Sequence, residues 1–194
     1  MTISGGKCMA EQKNVRPLLI GSFKALLPQY PFEKITVQMI AEDAGVKRAT
    51  FYNHFLDKYE LFSVILEEEL FQAIHTMMEA DMEREALKMI FSYFEKNRNF
   101  YKQAFQVRGQ NSFEAVLEDK MQLFYRKVYE KHGLNLDDNL SALTQTVVER
   151  YHASGLVYIL EKWITEEAAT PADEVFEAYV YLISNSILDL TADE

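Results

Sequence analysis

The chain has 194 residues, enough for one large domain or for a small domain joined to a larger one. A content of 48% hydrophobic and 26% charged residues is typical of soluble globular proteins and excludes a disordered chain. The longest run without a charged residue, 178–188, has 11 residues, whereas a membrane-spanning helix needs about 20. Because no apolar signal segment lies near the N-terminus, we expect a cytoplasmic protein with no membrane partner.

The charge is divided unequally along the chain. Residues 1–60 carry eight Lys and Arg against six Asp and Glu, a net charge of +2. Residues 61–194 carry twelve Lys and Arg against twenty-four Asp and Glu, a net charge of −12. An acidic surface repels the phosphates of nucleic acids and a basic surface attracts them. The difference therefore indicates two modules with different partners.

The first predicted helix begins near Arg16, after a tail over residues 1–12 that we expect to be flexible. Its apolar residues recur at the three- and four-residue intervals of one helical face. They are Ile20, Phe23, Leu26 and Leu27. Pro28 ends the segment, because proline has no backbone N–H to donate within a helix. The single cysteine, Cys8, falls in the tail, so no disulfide within one chain is possible.

Two short helices joined by a turn follow this segment. Thr36 is a suitable N-cap for the first of them, Gly45 suits the turn, and the second helix covers roughly residues 47–54. Two helices joined in this way form a helix-turn-helix, whose second helix can enter the major groove of DNA. Asp57 and Glu60 then resemble a capping box at the start of a long helix.

The rest of the chain continues the helical pattern. Periodic apolar segments occupy 83–95, 98–107, 112–132, 138–166 and 171–190. Residues suited to helix starts are Asn97, Ser112, Asp137 and Thr170. We therefore predict an all-α fold of about nine helices. A three-helix head that contains the helix-turn-helix occupies 13–60, and a larger helical body occupies 61–194.

The stretch ITVQMIAEDAGVKRATFYNHFLDKYELF resembles the DNA-binding signature of the TetR/AcrR family of helix-turn-helix transcriptional regulators. The matching positions are Thr36, Ile40, Ala41, Ala44, Gly45, Val46, Thr50, Phe51, Tyr52, His54, Phe55, Lys58, Leu61 and Phe62. So many ordered matches within 28 residues make the signal specific. The resemblance implies a regulator that binds double-stranded operator DNA.

The resemblance also implies roles for individual side chains. Those expected at DNA phosphates are Thr36, His54 and Lys58. Those expected in the major groove are Arg48, Thr50 and Tyr52. Phe51 and Phe55 resemble a buried aromatic pair of the family. Lys47 stands where a small capping serine is common and Ala49 where glycine is common, so Lys47 forfeits a cap and is an additional candidate DNA contact.

In TetR-like proteins the remaining helices form a domain for dimerisation and ligand sensing, and this body is similar in length and helix count. It is dense in aromatic residues, which commonly line pockets together with a few polar anchors. The candidate residues of an effector pocket are Phe94, Phe105, Phe124, Tyr125, Tyr151 and His152. For each aromatic residue the alternative is ordinary core packing.

The last two predicted helices are candidates for a homodimer interface. The final helix carries one apolar stripe: Phe176, Tyr179, Val180, Ile183 and Ile187. The preceding helix contributes Tyr151, Gly155 and Tyr158. Its small residues Ser154 and Gly155 would let a second helix approach closely. The alternative is a helix pair within one subunit.

The sequence carries no pattern that is specific to an enzyme. Glu149 and His152 form one Glu-x-x-His unit, but a di-iron helical bundle needs two such units and two further glutamates. HExxH, glycine-rich phosphate loops and paired-cysteine metal sites do not occur. We therefore expect no catalytic residues, no metal and no cofactor.

The sequence thus predicts a homodimeric, one-component transcriptional regulator that binds a palindromic operator. Repression is the expected mode, with release of DNA when an unknown small-molecule effector binds the body. The alternative is a helical interaction protein of the same fold that acts through a protein partner.

Overall fold

The computed structural model of the chain describes residues 7–136, 139, 141–167, 170–186, 189 and 190, with side chains from Val15 onwards. The helices are α1 (Lys7–Leu26), α2 (Val37–Asp43), α3 (Arg48–Tyr52), α4 (Glu60–Leu66), α5 (Gln72–Glu79), α6 (Glu83–Lys96), α7 (Arg98–Ala104), α8 (Phe113–His132), α9 (Gln145–Thr165) and α10 (Ala172–Ser184). A 3₁₀ turn at Phe32–Lys34 precedes α2, and a π-helical turn at Glu67–Phe71 joins α4 to α5 without a break. If α4, the π-helical turn and α5 are counted as one continuous helix, the described residues form nine helices and no strand, as predicted.

The helix-turn-helix of the head follows from local signals. The hydroxyl of Thr36 accepts a hydrogen bond of 3.1 Å from the backbone N–H of Met39, which confirms the predicted cap of α2. Gly45 has a φ of 69° in the turn, a left-handed conformation that favours glycine. Phe51 and Phe55 are both buried, and their ring centroids lie 5.4 Å apart. One side of α3 is thereby fixed against the head, and the other side stays exposed.

A single hydrophobic core extends through the head and the body. The ring of Phe62 on α4 lies 5.3 Å from that of Phe23 on α1 and 5.5 Å from that of Phe113 on α8, centroid to centroid. Phe100 on α7 completes the group, at 6.3 Å from Phe62. The boundary predicted near residue 60 therefore falls at the start of a helix that packs in both modules.

The body is built around the contact of α8 with α9, while α10 packs on α6 and α9. Glu149 of α9 is only 1% exposed and faces α8. Its carboxylate accepts hydrogen bonds from Gln122 and Arg126 of α8 and from Gln145 of its own helix. Burial opposes the negative charge, but these hydrogen bonds outweigh it and lower the pKa of Glu149. Its partners make Glu149 a structural residue. Among the described residues no group of His, Cys, Asp and Glu is suited to hold a metal ion.

The three largest differences between the predicted and the observed helix boundaries are at α1, α9 and α10. Helix α1 begins at Lys7, within the segment predicted as a tail. Helix α9 begins at Gln145 rather than near residue 138, because Thr144 caps it by accepting a hydrogen bond from the N–H of Val147. The predicted cap Asp137 lies outside the described residues.

The third difference is at the C-terminal helix. Helix α10 ends at Ser184, six residues earlier than predicted, and Pro171 instead of Thr170 stands at its N-cap.

The predicted cap of α8 is confirmed, since the hydroxyl of Ser112 accepts a hydrogen bond from the N–H of Ala115. None of the helices in the described ranges has the length and apolarity to cross a bilayer.

Candidate nucleic-acid interface

The exposed side of α3 carries most of the side chains predicted to enter the groove. The guanidinium of Arg48 donates a 3.1 Å hydrogen bond to the hydroxyl of Tyr52 and lies 5.5 Å from the centroid of its ring. The two residues are four positions apart, which places them on neighbouring turns of one helical face. Thr50 is half-buried, and Lys47 is exposed. The structure therefore brings Arg48 and Tyr52 together as one surface unit.

Lys47 stands at the N-cap of α3 and makes no capping hydrogen bond with its side chain. This agrees with the expectation that lysine forfeits the cap that a serine would provide. The ammonium is held by no contact in the cap and is exposed beside Arg48. Its position is compatible with a contact to DNA.

The phosphate-contact candidates differ in what already surrounds them. Thr36 is exposed at the start of α2, although its hydroxyl oxygen is used as the cap. His54 is half-buried just after α3, and its backbone carbonyl oxygen lies 3.5 Å from a guanidinium nitrogen of Arg16. Sequence reasoning missed Arg16, because it lies 38 residues before His54 and no local pattern links the two.

Lys58 is engaged within the protein. Its ammonium donates hydrogen bonds to the carbonyl oxygens of Phe32 (2.6 Å) and Ile35 (2.8 Å) and lies 4.1 Å from the centroid of the Phe32 ring. Burial lowers the pKa of Lys58, and the nearby carboxylate of Glu33 partly opposes that effect. The side chain holds the turn that leads directly into Thr36. The resemblance predicts that Lys58 contacts a DNA phosphate. The structure shows in addition that the Lys58 side chain clamps the turn before Thr36.

The loop after α3 is fixed by the predicted capping residues. The carboxylate of Asp57 accepts hydrogen bonds from the backbone N–H groups of Tyr59 (2.8 Å) and Glu60 (3.0 Å). Glu60 reaches back to the N–H of Leu56 at 2.5 Å. In a capping box, each of two residues three positions apart accepts a hydrogen bond from the backbone N–H of the other. Here Asp57 and Glu60 form such a pair, except that Glu60 accepts from Leu56, one residue before Asp57. It sets the direction in which α4 leaves the head.

A cavity of about 420 Å³ lies in the body between α9 and α10. Its walls are formed by Tyr151, His152, Gly155, Tyr179, Leu182, Ile183, Asn185 and Leu190. Two of the six predicted pocket residues, Tyr151 and His152, are among them. Tyr125 lies behind the wall, with its ring 5.4 Å from that of His152, and Phe124 is buried next to it.

The other two predicted pocket residues lie elsewhere. Phe94 and Phe105 are fully buried, and each packs against Phe113 in a closed aromatic cluster that also holds Tyr101. Their rings are in contact with other rings rather than with the cavity. The alternative of ordinary core packing therefore describes both residues.

Polar groups at the cavity are ordered by hydrogen bonds. The hydroxyls of Tyr125 and Tyr179 share a hydrogen bond of 2.5 Å. Burial raises the pKa of Tyr179 to about 12, so this phenol stays protonated at neutral pH. The Nδ1 atom of His152 lies 2.8 Å from the hydroxyl of Tyr129 and 2.9 Å from the carbonyl oxygen of Val148. A proton on Nδ1 would serve the carbonyl oxygen, and a lone pair on Nδ1 would accept from the Tyr129 hydroxyl, so both contacts occupy this ring nitrogen.

The face of α9 and α10 that includes this cavity is apolar and exposed. Tyr151 is 75% exposed, Tyr158 60% and Ile183 43%, and Gly155 lies exposed between the two tyrosines of α9. Monomeric proteins rarely expose several large apolar side chains side by side. These four predicted interface residues therefore share one accessible face.

Phe176 and Tyr179 require a correction to the predicted interface. Both are almost completely buried within the subunit, where each ring packs on that of Phe91. A side chain without accessible surface cannot contact a partner subunit, so these two stabilise the fold of one chain. Val180 is half-buried against the same core, and Ile187 lies outside the described residues.

Comparison with known families gives two matches to this chain. Residues 24–65 match the family described as bacterial regulatory proteins, tetR family. Residues 81–185 match the family described as transcriptional regulator C-terminal region. The first match covers the helix-turn-helix, and the second covers α6 to α10.

Individual relatives are similar over most of the chain. The HTH-type dhaKLM operon transcriptional activator DhaS of Lactococcus lactis subsp. lactis (strain IL1403) is 25% identical over 147 residues, 76% of this chain and 78% of the relative. A solved structure of the dihydroxyacetone kinase operon activator DhaS has a TM-score of 0.66 at 22% identity, covering 89% of this chain and 95% of that one. A TetR transcriptional regulator from Streptococcus agalactiae 2603V also has a TM-score of 0.66, at 19% identity and with 91% and 99% covered. The structural likenesses establish the fold.

The clamp formed by Lys58 generates a prediction. Lys58→Met removes both hydrogen bonds to the turn before Thr36, which should destabilise the protein by about 1–3 kcal/mol. Binding to DNA should weaken. If the clamp is the whole contribution of Lys58, the slope of log affinity against log salt stays unchanged, because contacts with phosphates set that slope. Fluorescence titrations of a duplex at several salt concentrations, with thermal unfolding, provide the measurement. A slope reduced by about one per subunit would instead assign Lys58 to a phosphate. Lys34→Met, at an exposed lysine of the same turn, is the control.

Proposed function

Because this chain belongs to the TetR family of bacterial transcriptional regulators, we propose that it regulates transcription as a homodimer that binds a palindromic operator and responds to a small-molecule effector. The observation that carries the DNA-binding part is the architecture of α3. Phe51 is buried on one side of the helix, and Arg48 and Tyr52 are exposed to solvent. A helix exposed in this way fits the major groove, where arginine reads guanine and a tyrosine hydroxyl contacts bases or phosphates.

The phosphate contacts proposed for each head surround α3. Lys47 is exposed at its start and Thr36 at the start of α2, and His54 follows its end. Phosphate contacts fix the register of a recognition helix but carry no base information. Thr50, half-buried on α3, is a further proposed contact in the major groove.

The exposed apolar face of α9 and α10 supports the proposed dimerisation. One head makes few contacts with DNA, whereas two heads related by a two-fold axis read two half-sites. The face offers Tyr151, Tyr158 and Ile183, with Gly155 allowing close approach of a partner helix. In a two-fold dimer the same patch of each copy faces its counterpart, so an apolar face of one subunit would meet an apolar face of the other.

The effector site proposed here is the cavity between α9 and α10. Its volume of about 420 Å³ suits a small molecule, and its walls combine Leu182, Ile183 and Leu190 with the polar groups of His152 and Tyr179. Since Nδ1 of His152 is occupied, Nε2 is the ring nitrogen that serves a ligand. Tyr151, Gly155 and Ile183 belong both to the cavity wall and to the proposed dimer face, so a bound molecule would shift how the subunits pair and thereby the spacing of the two heads.

The sign of regulation is tested together with DNA binding. Repression is the mode we propose, although one relative of this chain is named an activator. Footprinting of the purified protein on the DNA upstream of its own gene locates the operator. A footprint overlapping the promoter supports repression, and one upstream of it supports activation. Absence of any salt-sensitive footprint, together with failure to select a sequence from a random duplex library, would refute the proposed function.

The first prediction here concerns base readout. Arg48→Ala should cost about 1–3 kcal/mol of operator affinity and relax the preference at one base pair of each half-site. Selection from a library randomised at each operator position provides the measurement. Arg108→Ala, at an exposed arginine of the body, should leave the profile unchanged. If Arg48→Ala also left it unchanged, Arg48 would not be a reader.

The second prediction concerns the dimer. Ile183→Asp places a charge in the middle of the proposed interface, where burial without a partner costs about 3–5 kcal/mol. The variant should be monomeric and helical, because Ile183 is exposed within one subunit, and it should lose operator affinity. Sedimentation, circular dichroism and operator titration provide the measurements. Leu123→Asp, at a leucine of α8 that is 47% exposed, is the matched control and should stay dimeric. A dimeric Ile183→Asp that binds the operator would place the interface elsewhere.

The third prediction concerns the effector. A compound found by screening for release of operator DNA should lose at least about tenfold in potency when His152→Phe removes its hydrogen-bonding partner. The variant should bind the operator as the wild type does. His75→Phe, at a histidine of α5 beside a separate shallow depression, should respond normally. Equal potency on wild type and His152→Phe would exclude this cavity as the effector site.

A further inference from the structure

The π-helical turn between α4 and α5 carries three consecutive glutamates, and each has a different basic partner. Glu67 forms an ion pair with Lys120 of α8, in the body. Glu68 forms one with Arg16 and Glu69 one with Lys24, both in α1 at 2.5 Å. Consecutive residues of a helix point in different directions, about 100° apart in an α-helix and somewhat less in a π-helix, so three neighbours can reach three different places. The turn therefore connects the body to the first helix of the head.

Arg16 extends this connection to the recognition helix. Its Nε atom donates to the carboxylate of Glu68, while a terminal nitrogen lies 3.5 Å from the carbonyl oxygen of His54. The guanidinium carbon lies 5.0 Å from the centroid of the Phe55 ring. His54 and Phe55 follow Asn53, the C-cap of α3, where the helix leaves carbonyl oxygens that favour a cation. One side chain thus contacts both the π-helical turn and the end of the helix that reads DNA.

The contact at Glu69 leads into the core of the body. Its carboxylate accepts hydrogen bonds from Lys24 and from the hydroxyl of Tyr93 (3.0 Å), and that hydroxyl lies 2.7 Å from the hydroxyl of the fully buried Tyr101. Lys24 also donates to the side-chain oxygen of Asn97 at 3.2 Å. This end of α1 is therefore held by a network that spans α6 and α7.

The two ion pairs hold α1 from opposite directions along its axis. Arg16 and Lys24 are eight residues apart, about 12 Å along a helix, whereas the α-carbons of Glu68 and Glu69 are only about 3.8 Å apart. Sliding α1 in either direction stretches one pair while it relaxes the other. The arrangement fixes the axial position of α1, and with it the head, relative to the body.

We propose that Glu68 and Arg16 are a positioning pair that sets the recognition helix relative to the body, so that the two heads of the dimer match the spacing of the operator half-sites. This role of the pair rests on the proposed function, because the spacing of the two heads matters only for a dimer bound to two half-sites. Its side chains are 35–38% exposed, so its contribution to folding stability is small. Its effect is on geometry, and it acts twice in each dimer.

A simpler role for Arg16 makes the opposite prediction. If Arg16 contacted a DNA phosphate, Glu68 would compete for its charge. Glu68→Gln would then free the arginine, remove a repelling carboxylate and strengthen binding to every sequence. If the pair positions α3, the same change loosens the recognition helix and weakens binding to the full operator. The sign of the effect distinguishes the two roles.

The test uses the full-length protein and an operator selected from a random duplex library. Glu68→Gln should weaken binding to the two-half-site duplex by about 2- to 30-fold, the effect of two partly exposed ion pairs. Binding to a duplex with one half-site scrambled should be unchanged, because each head is intact. Arg16→Gln combined with Glu68→Gln should cost no more than Arg16→Gln alone, since both remove one interaction. The slope against salt should be unchanged in Glu68→Gln.

The control is Glu130→Gln, which removes one negative charge from an exposed position of α8. Unchanged or stronger binding of Glu68→Gln to the full operator, relative to this control, would overturn the inference. An equal loss on the full and the half-site duplex would overturn it as well, since the defect would then lie within the head. If the wild-type protein selects no sequence at all, the proposed function itself fails, which is a separate and recognisable result.

Discussion

The contacts of Phe62 make the head and the body one packed unit. This side chain is on the first turn of α4, and its ring touches rings from α1, the 3₁₀ turn, α7 and α8. Close-packed interiors transmit displacement because they have little free volume to absorb it. A shift of α7 or α8 in the body therefore reaches α1 and the turn before α2 through this ring. The remaining features of the head are arranged around that fixed point.

Polar contacts refine what the aromatic core establishes. Lys58 holds the turn before α2, Arg16 holds the end of α3, and the glutamates of the π-helical turn connect α1 to the body.

The ion pairs at this boundary also neutralise negative charge next to the head. The chain has a net charge of −10, and the body is its acidic part. At the boundary with the head, Glu67, Glu68 and Glu69 are each neutralised by a basic partner. Exposed Lys47 and Arg48 face solvent on α3, so the acidic body and a DNA-binding head are compatible within one chain.

Helix α10 divides its apolar side chains between two surroundings. Phe176 and Tyr179 fill the core beside Phe91, whereas Ile183 is exposed one turn after Tyr179. The helix therefore belongs to the core at its start and to the surface at its end. The cavity lies at that transition, with Tyr179 in its wall and the hydroxyl of Tyr125 behind it. A ligand bound there would contact both the core of one subunit and the face proposed for its partner.

The sequence by itself determined the features that depend on neighbours within about four residues. The all-α fold, the caps at Thr36 and Ser112, the glycine turn at Gly45 and the capping residues Asp57 and Glu60 are of this kind, because their hydrogen bonds are local. The resemblance added which face of α3 is exposed. Only the tertiary structure decided the partners of Lys58, which are 23 and 26 residues away, and those of Arg16, which are 38 and 52 residues away. It also decided that Phe176 is core and Ile183 surface. An amphipathic stripe indicates that one face of a helix is buried. Whether a helix of the same chain or a partner subunit covers that face depends on how the other helices pack.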